Sequence, residues 1–486
     1  MYFLAFLLLF SDPAAGVEEH LKKIVDVFMA VSNNAADPVA PEHAFFDGAI
    51  PGMLRRLDPH SVFFDPTQFE QLKQMEKSER KGFGSVVSVL PGRVIVLQTL
   101  PGTPSAKSGL APGDEILAIN GIPLSRLEFE QLVELLTESR QKTAELLVRR
   151  PGNVRMLQFT LTPELMDSPS VDRAWMLNPD VGCIHVASFD ANTGREIRQA
   201  IEKLGGEHLK GLVLDLRDNP GGVVTSAIEA ASLFLAPGQR ILSVRGRSAK
   251  GEEADVPKTA TPYKFPLAVL VNGKSASAAE IVTGALQDHD RATVIGEPTY
   301  GKGLVQSVYP LSKGAGLALT TAFYYTPSGR SIQKPLSTGQ LNAASIAPPG
   351  EFRTDSGRRV TGGGGIQPDI EVHPEPVTRL RAVLDASGAF VAFGAPYGRD
   401  HTITANFQVT PQLLDEFRVY LSEHQIQPPV ADWSSDRAWI ESRLKQEIFN
   451  LTIGVAKGDE VEAARDPMVR EALRAIQKDA RRAKQN

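Results

Sequence analysis

The sequence predicts a multidomain α/β protein, for three reasons. The chain has 486 residues, which is too long for a single hydrophobic core. Strand and helix patterns alternate between about residues 181 and 372, as in an α/β domain. Short strands precede that region, and helical apolar patterns occupy both ends of the chain. We predict a leader at 1–16, an N-terminal helical region at 17–80, a β-rich domain at 81–165, an α/β core at 166–375 and a C-terminal helical region at 376–486.

The composition is that of an ordinary globular protein and argues against several kinds of site. Hydrophobic residues make up 42% of the chain, and the net charge of −5 gives no basic surface for nucleic acid. The single cysteine, Cys183, excludes an intramolecular disulfide, a thiolate zinc cluster and an iron–sulfur site. The nine histidines include no H-x-x-x-H pair at helical spacing. We therefore expect no metal, no cofactor and no nucleic-acid partner.

The first sixteen residues have features of a secretory signal peptide. Residues 2–10 are an apolar run, and the small residues Ala14, Ala15 and Gly16 follow it. The run is about half of the roughly 20 residues that a membrane-spanning helix needs. No Lys or Arg precedes it, so the alternative is an apolar helix packed on the body of the protein. We expect export to a periplasmic or other extracytoplasmic location.

Residues 17–80 predict helices that a proline turn interrupts. Leu21, Ile24 and Phe28 recur at i, i+3 and i+7 and therefore share one helical face. The turn is Asp58-Pro59-His60-Ser61.

The middle of the chain predicts short strands and then an α/β pattern. The segments 212–216 and 267–271 are almost continuously apolar, which is typical of strands buried on both faces of a parallel sheet. The predicted elements of the β-rich domain are strands at 83–89, 94–97, 144–149 and 156–161 and a helix at 127–136; those of the core are strands at 181–189, 212–216, 267–271 and 304–311 and helices at 194–204, 225–235 and 278–286.

The region after Pro376 predicts further helices with two apolar stripes. Asp466-Pro467 is a helix cap followed by proline at the first helical position, and it opens the last helix. One stripe comprises Leu413, Leu414, Phe417 and Leu421, and the other comprises Ile440, Leu444, Ile448 and Leu451.

Ser277 is a candidate nucleophile because of the junction at which it lies. It falls between a predicted buried strand and a helix, where backbone N–H groups and the helix dipole favour developing negative charge. The alternative is structural, because Ser277-x-x-Glu280 is also a capping box.

Lys302 is a candidate general base within a segment that nearly matches a phosphate loop. Residues 296–303 fit G-x-x-x-x-G-K-[ST] except at Gly303, and a strand rather than a helix is predicted next, so we expect no nucleotide. A lysine base must be neutral, which requires its pKa to fall from about 10.4 toward about 7 through burial. Gln306, four residues later, would face the same side of an extended segment and can orient the amine. The alternative is an ordinary strand with an exposed Lys and Gln.

Gly221 and Gly222 are candidates for half of an oxyanion hole. Consecutive glycines after a buried strand allow backbone N–H groups to approach a ligand closely. The N–H of Ala278 would supply the other half. The alternative is a tight strand-to-helix turn.

In this order and spacing, the segments resemble the carboxyl-terminal processing peptidases, also called tail-specific proteases. The resemblance covers roughly Leu57 to Val372. It implies an α/β serine protease core with a Ser-Lys dyad and a PDZ domain at 81–165. Beside the three candidate segments, it rests on Asp58-Pro59-His60-Ser61, Gly82-Phe83-Gly84, Gly109-Leu110-x-x-Gly113-Asp114 and Gly365-Ile366-Gln367-Pro368-Asp369.

The resemblance also implies the role of each site residue. Ser277, the second serine of the S-A-S-A run, is the nucleophile, Lys302 is the base, and Gln306 positions the base. Gly221 or Gly222 and Ala278 supply the oxyanion hole. Ala279 departs from the serine that members often have, and Lys274 is a second small departure, but neither removes a reacting group.

The PDZ resemblance implies a binding site for peptide tails. Such a domain adds the peptide as an extra strand and captures its terminal carboxylate with backbone N–H groups. The matching loop contains Gly82, Phe83 and Gly84, and Phe83 and Val87 would line a pocket for an apolar last side chain. The alternative is a PDZ fold that serves only structure or gating.

The resemblance therefore predicts substrates that are proteins or peptides with apolar C-terminal tails. It also allows an adaptor or activator and, through the terminal helices, a homodimer. The main rival is a non-catalytic PDZ scaffold with an inactive protease core. A trypsin-like PDZ protease is disfavoured because the chain has no G-[ND]-S-G-G motif.

Overall fold

The computed structural model describes residues 13–37, 39–76, 79–247, 251–336 and 351–482. These residues form two compact units. The first unit contains the described residues of Met1–Phe69, Gln306–Thr321 and Leu336–Asn342. The second contains those of Glu70–Val305, Ala322–Pro335 and Ala343–Asn486. Most of the predicted leader, residues 1–12, lies outside the described residues.

The N-terminal region is helical, as predicted, with one short strand inside it. Helix α1 begins at Pro13, within the predicted leader, and its apolar residues Leu21 and Ile24 are exposed. None of the described helices is long and apolar enough to span a membrane. The elements are α1 (Pro13–Asn34), a π-helical segment (His43–Ala49), α2 (Ile50–Leu54), β1 (Val62–Phe64) and α3 (Pro66–Glu76).

The β-rich domain contains a six-stranded antiparallel sheet with an apolar core. The predicted strand at 83–89 begins at Ser85 instead, because Gly84 has a φ of 75° and turns the chain. The elements are β2 (Glu79–Gly82), β3 (Ser85–Leu90), β4 (Arg93–Thr99), α4 (Pro104–Ser108), β5 (Glu115–Ile119), β6 (Ile122–Pro123), α5 (Phe129–Ser139), β7 (Ala144–Arg149), β8 (Leu157–Leu161) and β9 (Glu164–Asp167). The sheet has the order β3-β4-β5-β7-β8, with β6 beside β5, and β2 pairs separately with β9.

The α/β core contains the parallel sheet that the apolar runs predict. Its order is β10-β11-β12-β15-β16-β21, and every pair is parallel except β10 with β11. Because parallel strands end at the same edge of a sheet, the loops after β12 and β15 lie together. The elements are β10 (Val171–Asn178), β11 (Val181–Val186), α6 (Thr193–Leu204), β12 (Gly211–Asp215), α7 (Val224–Ser232), β13 (Arg240–Gly246), β14 (Glu252–Asp255), β15 (Leu267–Val271), α8 (Ala278–Asp288), β16 (Thr293–Gly296), β17 (Leu304–Pro310), β18 (Gly316–Tyr325), β19 (Glu351–Arg353), β20 (Arg359–Thr361) and β21 (Ile370–Glu371).

Strand β18 takes part in both units. In the first unit its residues Gly316–Ala318 pair with β1. In the second unit its residues Ala322–Tyr325 pair with β13.

The C-terminal region is helical, as predicted, and both of its apolar stripes contribute to one core of this same chain. Leu413, Phe417, Ile440 and Leu444 are buried together in that core. The stripes therefore give no reason to expect a dimer interface. The elements are α9 (Arg379–Ser387), α10 (Ala389–Asp400), α11 (Pro411–Glu423), α12 (Val430–Thr452), α13 (Val455–Arg465) and α14 (Pro467–Arg482).

Helix α14 does not belong to that bundle core but covers one face of the parallel sheet. Met468, Ala472 and Ile476 are buried against β12, β15 and β16, while α6, α7 and α8 contribute to the core on the other face. A side chain at Gly211 would come within 2.4 Å of Ile476 Cγ2, so helix and sheet are in close contact. The predicted core at 166–375 was therefore incomplete, because one of its layers lies at the end of the chain.

Candidate active site

Ser277 lies immediately before helix α8, at the edge where the parallel strands end. Its backbone has φ 55° and ψ −113°, a conformation that costs a non-glycine residue of the order of 1–3 kcal/mol. Strain of this kind is concentrated at functional sites. The capping box with Glu280 is also formed, so Ser277 both caps the helix and occupies a strained position.

Ser275, the other serine of the run, has a structural role. It is fully buried, and its hydroxyl donates to Leu216 O at 2.7 Å and accepts from Asn272 N at 2.9 Å. These bonds tie the loop after β15 to the end of β12. The partly exposed Ser277 is the better candidate nucleophile of the two.

The carboxyl group of Glu280 joins the serine segment to the lysine segment. It is fully buried and accepts the N–H groups of Ser277 at 2.8 Å and Lys302 at 2.9 Å. It also accepts the N–H of Gly301 at 2.7 Å and the hydroxyl of Thr299 at 2.5 Å. Burial raises the pKa of Glu280, against the effect of these bonds. The sequence showed Glu280 only as a capping residue, since nothing local indicates its contacts with residues 299–302.

The two glycines around Lys302 are explained by a segment that lies against them. Gly301 has a φ of 88°, and a side chain there would come within 2.6 Å of Lys334 Cγ. A side chain at Gly303 would come within 2.9 Å of Gln333 N, and the Gly303 N–H donates to Gln333 Oε1 at 2.8 Å. Lys302 itself is partly buried, and a strand follows it, as predicted. The backbone around the candidate base is therefore held from both sides.

The two predicted oxyanion glycines differ in what their N–H groups contact. The Gly221 N–H donates to Asn219 Oδ1 at 2.8 Å. Within the part of the chain that the structure describes, the N–H groups of Gly222 and Ala278 have no hydrogen-bond acceptor. A side chain at Gly221 would come within 2.7 Å of Ser277 Cβ, so the turn is in direct contact with the serine.

Asn219 is a second residue that the sequence did not identify. It is fully buried, and its amide donates to Val186 O at 2.7 Å. Its backbone carbonyl accepts the N–H of Ala276 at 2.9 Å. Asn219 therefore connects β11, the glycine turn and the serine loop.

Gln306 belongs to the first unit, where its surroundings come from the predicted turn at 58–61. The Gln306 side-chain amide donates to His60 O. Asp58 shapes that turn, because its carboxylate accepts the N–H groups of His60 at 2.8 Å and Ser61 at 2.9 Å. The role of Gln306 toward Lys302 stays a prediction.

The four predicted tail-binding residues line one cavity of the β-rich domain. The cavity has a volume of about 280 Å³ and includes Gly82, Phe83, Gly84 and Val87. Strand β3 lies at the edge of its sheet. The charged residues Lys81, Arg140 and Asp167 also line the cavity, and its other apolar lining residues are Leu100, Ile116, Ile119, Leu136, Leu146, Leu161 and Met166.

The described residues include no group of three or more His, Cys, Asp or Glu side chains that could hold a metal ion. Cys183 is fully buried in β11, and burial raises the pKa of its thiol well above the ordinary value. A thiol in that environment is a structural side chain.

Comparison with known proteins identifies two domain families and relatives that align over about two thirds of their length or more. Residues 180–339 match peptidase family S41, and residues 95–150 match a PDZ domain. The chain is 35% identical over 320 residues to a carboxy-terminal-processing protease of Bartonella bacilliformis, covering 65% of this chain and 73% of that protein. It is 35% identical over 292 residues to a carboxyl-terminal-processing protease of Synechocystis, covering 59% of this chain and 68% of that one.

Among solved structures, the photosystem II D1 C-terminal processing protease aligns with 74% of this chain and 88% of its own, at 25% identity and a TM-score of 0.39. Both domain matches fall where the structure has the β-rich domain and the parallel-sheet core. On the strength of its domains and relatives, the chain belongs to the carboxyl-terminal processing protease family and is a serine-type peptidase with a PDZ domain.

Proposed function

We propose that this protein is an exported endopeptidase that binds the C-terminal tail of a protein substrate and cleaves it through an acyl-enzyme on Ser277. One observation carries the assignment of the dyad. The buried Glu280 carboxyl accepts the backbone N–H groups of both Ser277 and Lys302, so two residues far apart in sequence occupy one site. Export is supported only by the apolar run at residues 2–10.

The chemistry assigns one step to each group. Lys302, as a neutral amine, takes the proton of the Ser277 hydroxyl while the oxygen attacks the scissile carbonyl carbon. The N–H groups of Gly222 and Ala278 stabilise the oxyanion of the tetrahedral intermediate. Lys302 then gives the proton to the leaving amine, and water hydrolyses the acyl-enzyme by the same route. Gln306 orients the lysine amine, as the family resemblance implies.

The PDZ domain supplies the recognition of the tail. A free edge on β3 accepts a peptide as an added strand, and the apolar cavity beside it suits an apolar last side chain. The relatives named as carboxyl-terminal processing proteases support a substrate that is cut near its C-terminus. Whether an adaptor or activator assists is a separate proposal that rests on the family alone.

The assignment is tested by Ser277→Ala and Lys302→Ala, assayed on an unfolded protein substrate with an apolar tail. We expect each variant to lose at least about a thousandfold in cleavage rate, because each removes a reacting group. Lys210→Ala is the matched control, since Lys210 is exposed and paired with Asp180 away from the site. A fluorophosphonate probe should label the native protein and spare Ser277→Ala. Undiminished cleavage by folded Ser277→Ala protein would refute the dyad and favour a different nucleophile.

A further inference from the structure

Tyr324 lies under the proposed dyad and contacts both of its segments. It is in the part of β18 that pairs with β13, and it is 2% exposed. Its N–H donates to Gly303 O at 3.0 Å. Its hydroxyl points to two carbonyl oxygens, Lys302 O at 2.7 Å and Ser277 O at 3.2 Å.

These contacts complement those of Glu280. The Glu280 carboxyl accepts the N–H groups of Ser277 and Lys302, whereas the Tyr324 hydroxyl faces the carbonyl groups of the same two residues. Glu280 thus binds the backbone N–H groups of the proposed nucleophile and base, and Tyr324 contacts the backbone carbonyl groups of the same two residues. A phenol has one proton, so the shorter contact to Lys302 O takes most of the donation and Ser277 O is the second acceptor.

The ring makes the hydroxyl a rigid support. Tyr324 belongs to the hydrophobic core beneath α8, which restricts movement of the phenol. Burial, with a smaller contribution from Glu280, raises the pKa of Tyr324 well above its ordinary value of 10. The hydroxyl therefore stays a donor throughout any practical assay range.

We propose that Tyr324 is a positioning residue whose hydroxyl sets the spacing between Ser277 and Lys302. The inference rests on the proposed function, because it assumes that these two residues react. Proton transfer between them requires hydrogen-bond distance, and a small displacement of one partner lowers the rate steeply. If Tyr324 were purely structural, removal of its hydroxyl would lower stability without lowering kcat selectively over KM.

The test is Tyr324→Phe, which removes only the hydroxyl. We expect kcat to fall roughly ten- to hundredfold with KM within about twofold, because tail binding does not involve this group. Labelling of Ser277 by a small fluorophosphonate should slow to a similar degree, since that reaction needs the dyad but not the PDZ domain. Tyr263→Phe is the matched control, because Tyr263 is also buried and its hydroxyl donates to Glu202. We expect the kcat of the Tyr263→Phe protein to stay within about twofold of the native value.

The outcomes separate the inference from the function on which it rests. Folded Tyr324→Phe protein with native kcat and native labelling would overturn the role of Tyr324. A drop in kcat that Tyr263→Phe reproduces at equal loss of thermal stability would also overturn it, because the effect would then be structural. Retained cleavage in Ser277→Ala would instead show that the proposed dyad is wrong, whatever Tyr324→Phe does.

Discussion

Among single residues, Gly221 is the glycine whose added Cβ would collide with the serine loop itself. Its φ is 93°, and an added Cβ would lie 2.7 Å from Ala276 O and from Ser277 Cβ and 2.8 Å from Ala278 N. Contacts below 3.0 Å to backbone atoms cannot be relieved by rotating a side chain. Any residue larger than glycine at position 221 must therefore displace Ser277 or the glycine turn itself.

Gly221→Ala should accordingly lower the cleavage rate steeply, while its effect on the free energy of unfolding should be small by comparison. Gly238→Ala is the matched control, because Gly238 also has a positive φ of 83° but has no atom within 4 Å of the added Cβ. Both variants bear a left-handed backbone cost of roughly 1–2 kcal/mol, so their difference isolates the collision with the serine loop. We expect cleavage to fall at least about a hundredfold in Gly221→Ala and to stay near native in Gly238→Ala. Equal activity of the two proteins would contradict the contact between the glycine turn and the serine.

Glu280 predicts a pH dependence of stability with a definite sign. Burial raises its pKa above the ordinary 4.5, so the native state binds the proton more tightly than the unfolded state. Its stabilising contribution is therefore complete below pH 4.5 and is lost as pH rises through the native pKa. Relative to Glu280→Gln, the native protein should lose unfolding free energy as pH rises from about 4 to 8, measured by denaturant titration. If the unfolding free energy of the native protein rose with pH relative to that of Glu280→Gln, the result would contradict a raised pKa for Glu280.

The residues proposed to react can be identified in the sequence, whereas the buried side chains that contact their backbones cannot. Ser277, Lys302 and the glycines stand in short segments whose local order carries the family resemblance. Glu280, Asn219 and Tyr324 act through contacts between segments distant in sequence. A capping glutamate or a core tyrosine has the same local pattern whether or not a second loop docks on it.

Among the elements, the bounds of two strands were predicted correctly, whereas the surface on which helix α14 packs was not predicted. The strand at 267–271 and the strand at 144–149 have their predicted bounds, because continuous or alternating apolar residues define them locally. Helix α14 was predicted at its start, yet its apolar face did not show which surface it covers. The spacing of apolar residues predicts the width of a helix's apolar face but does not identify the surface against which that face packs.

The contribution of α14 to the core can be measured by Ile476→Ala. Ile476 is 2% exposed and packs on the sheet at Gly211, so truncation should cost about 2–5 kcal/mol of unfolding free energy. Val419→Ala, on the 58% exposed Val419 of α11, is the control and should cost less than about 0.5 kcal/mol. Equal midpoints of the two variants in urea would show that α14 is dispensable to the core.

For the whole molecule, the central question is how the PDZ domain serves the protease core. Val87→Asp adds a carboxylate to the lining of this cavity, where it should repel the carboxylate of the tail that we propose binds there. We expect KM for a substrate with an apolar tail to rise about tenfold or more, because about 1.4 kcal/mol of lost binding energy suffices. Cleavage of a short peptide without a tail should be unchanged. Val154→Asp is the control, since Val154 is fully exposed in the same domain; an equal rise in KM there, or none in Val87→Asp, would contradict tail binding in this cavity.

The long separation in sequence between α14 and the strands that it covers has a consequence for biosynthesis. The strands that it covers, β12, β15 and β16, are complete by Gly296, whereas the helix begins at Pro467. A chain emerging from the ribosome therefore carries a sheet with one apolar face uncovered until Pro467–Arg482 has also been made. Closing the core depends on contacts of long sequence separation, which form late. We expect the proposed protease site at the edge of that sheet to mature only after α14 has been made, which would disfavour proteolysis by shorter nascent chains.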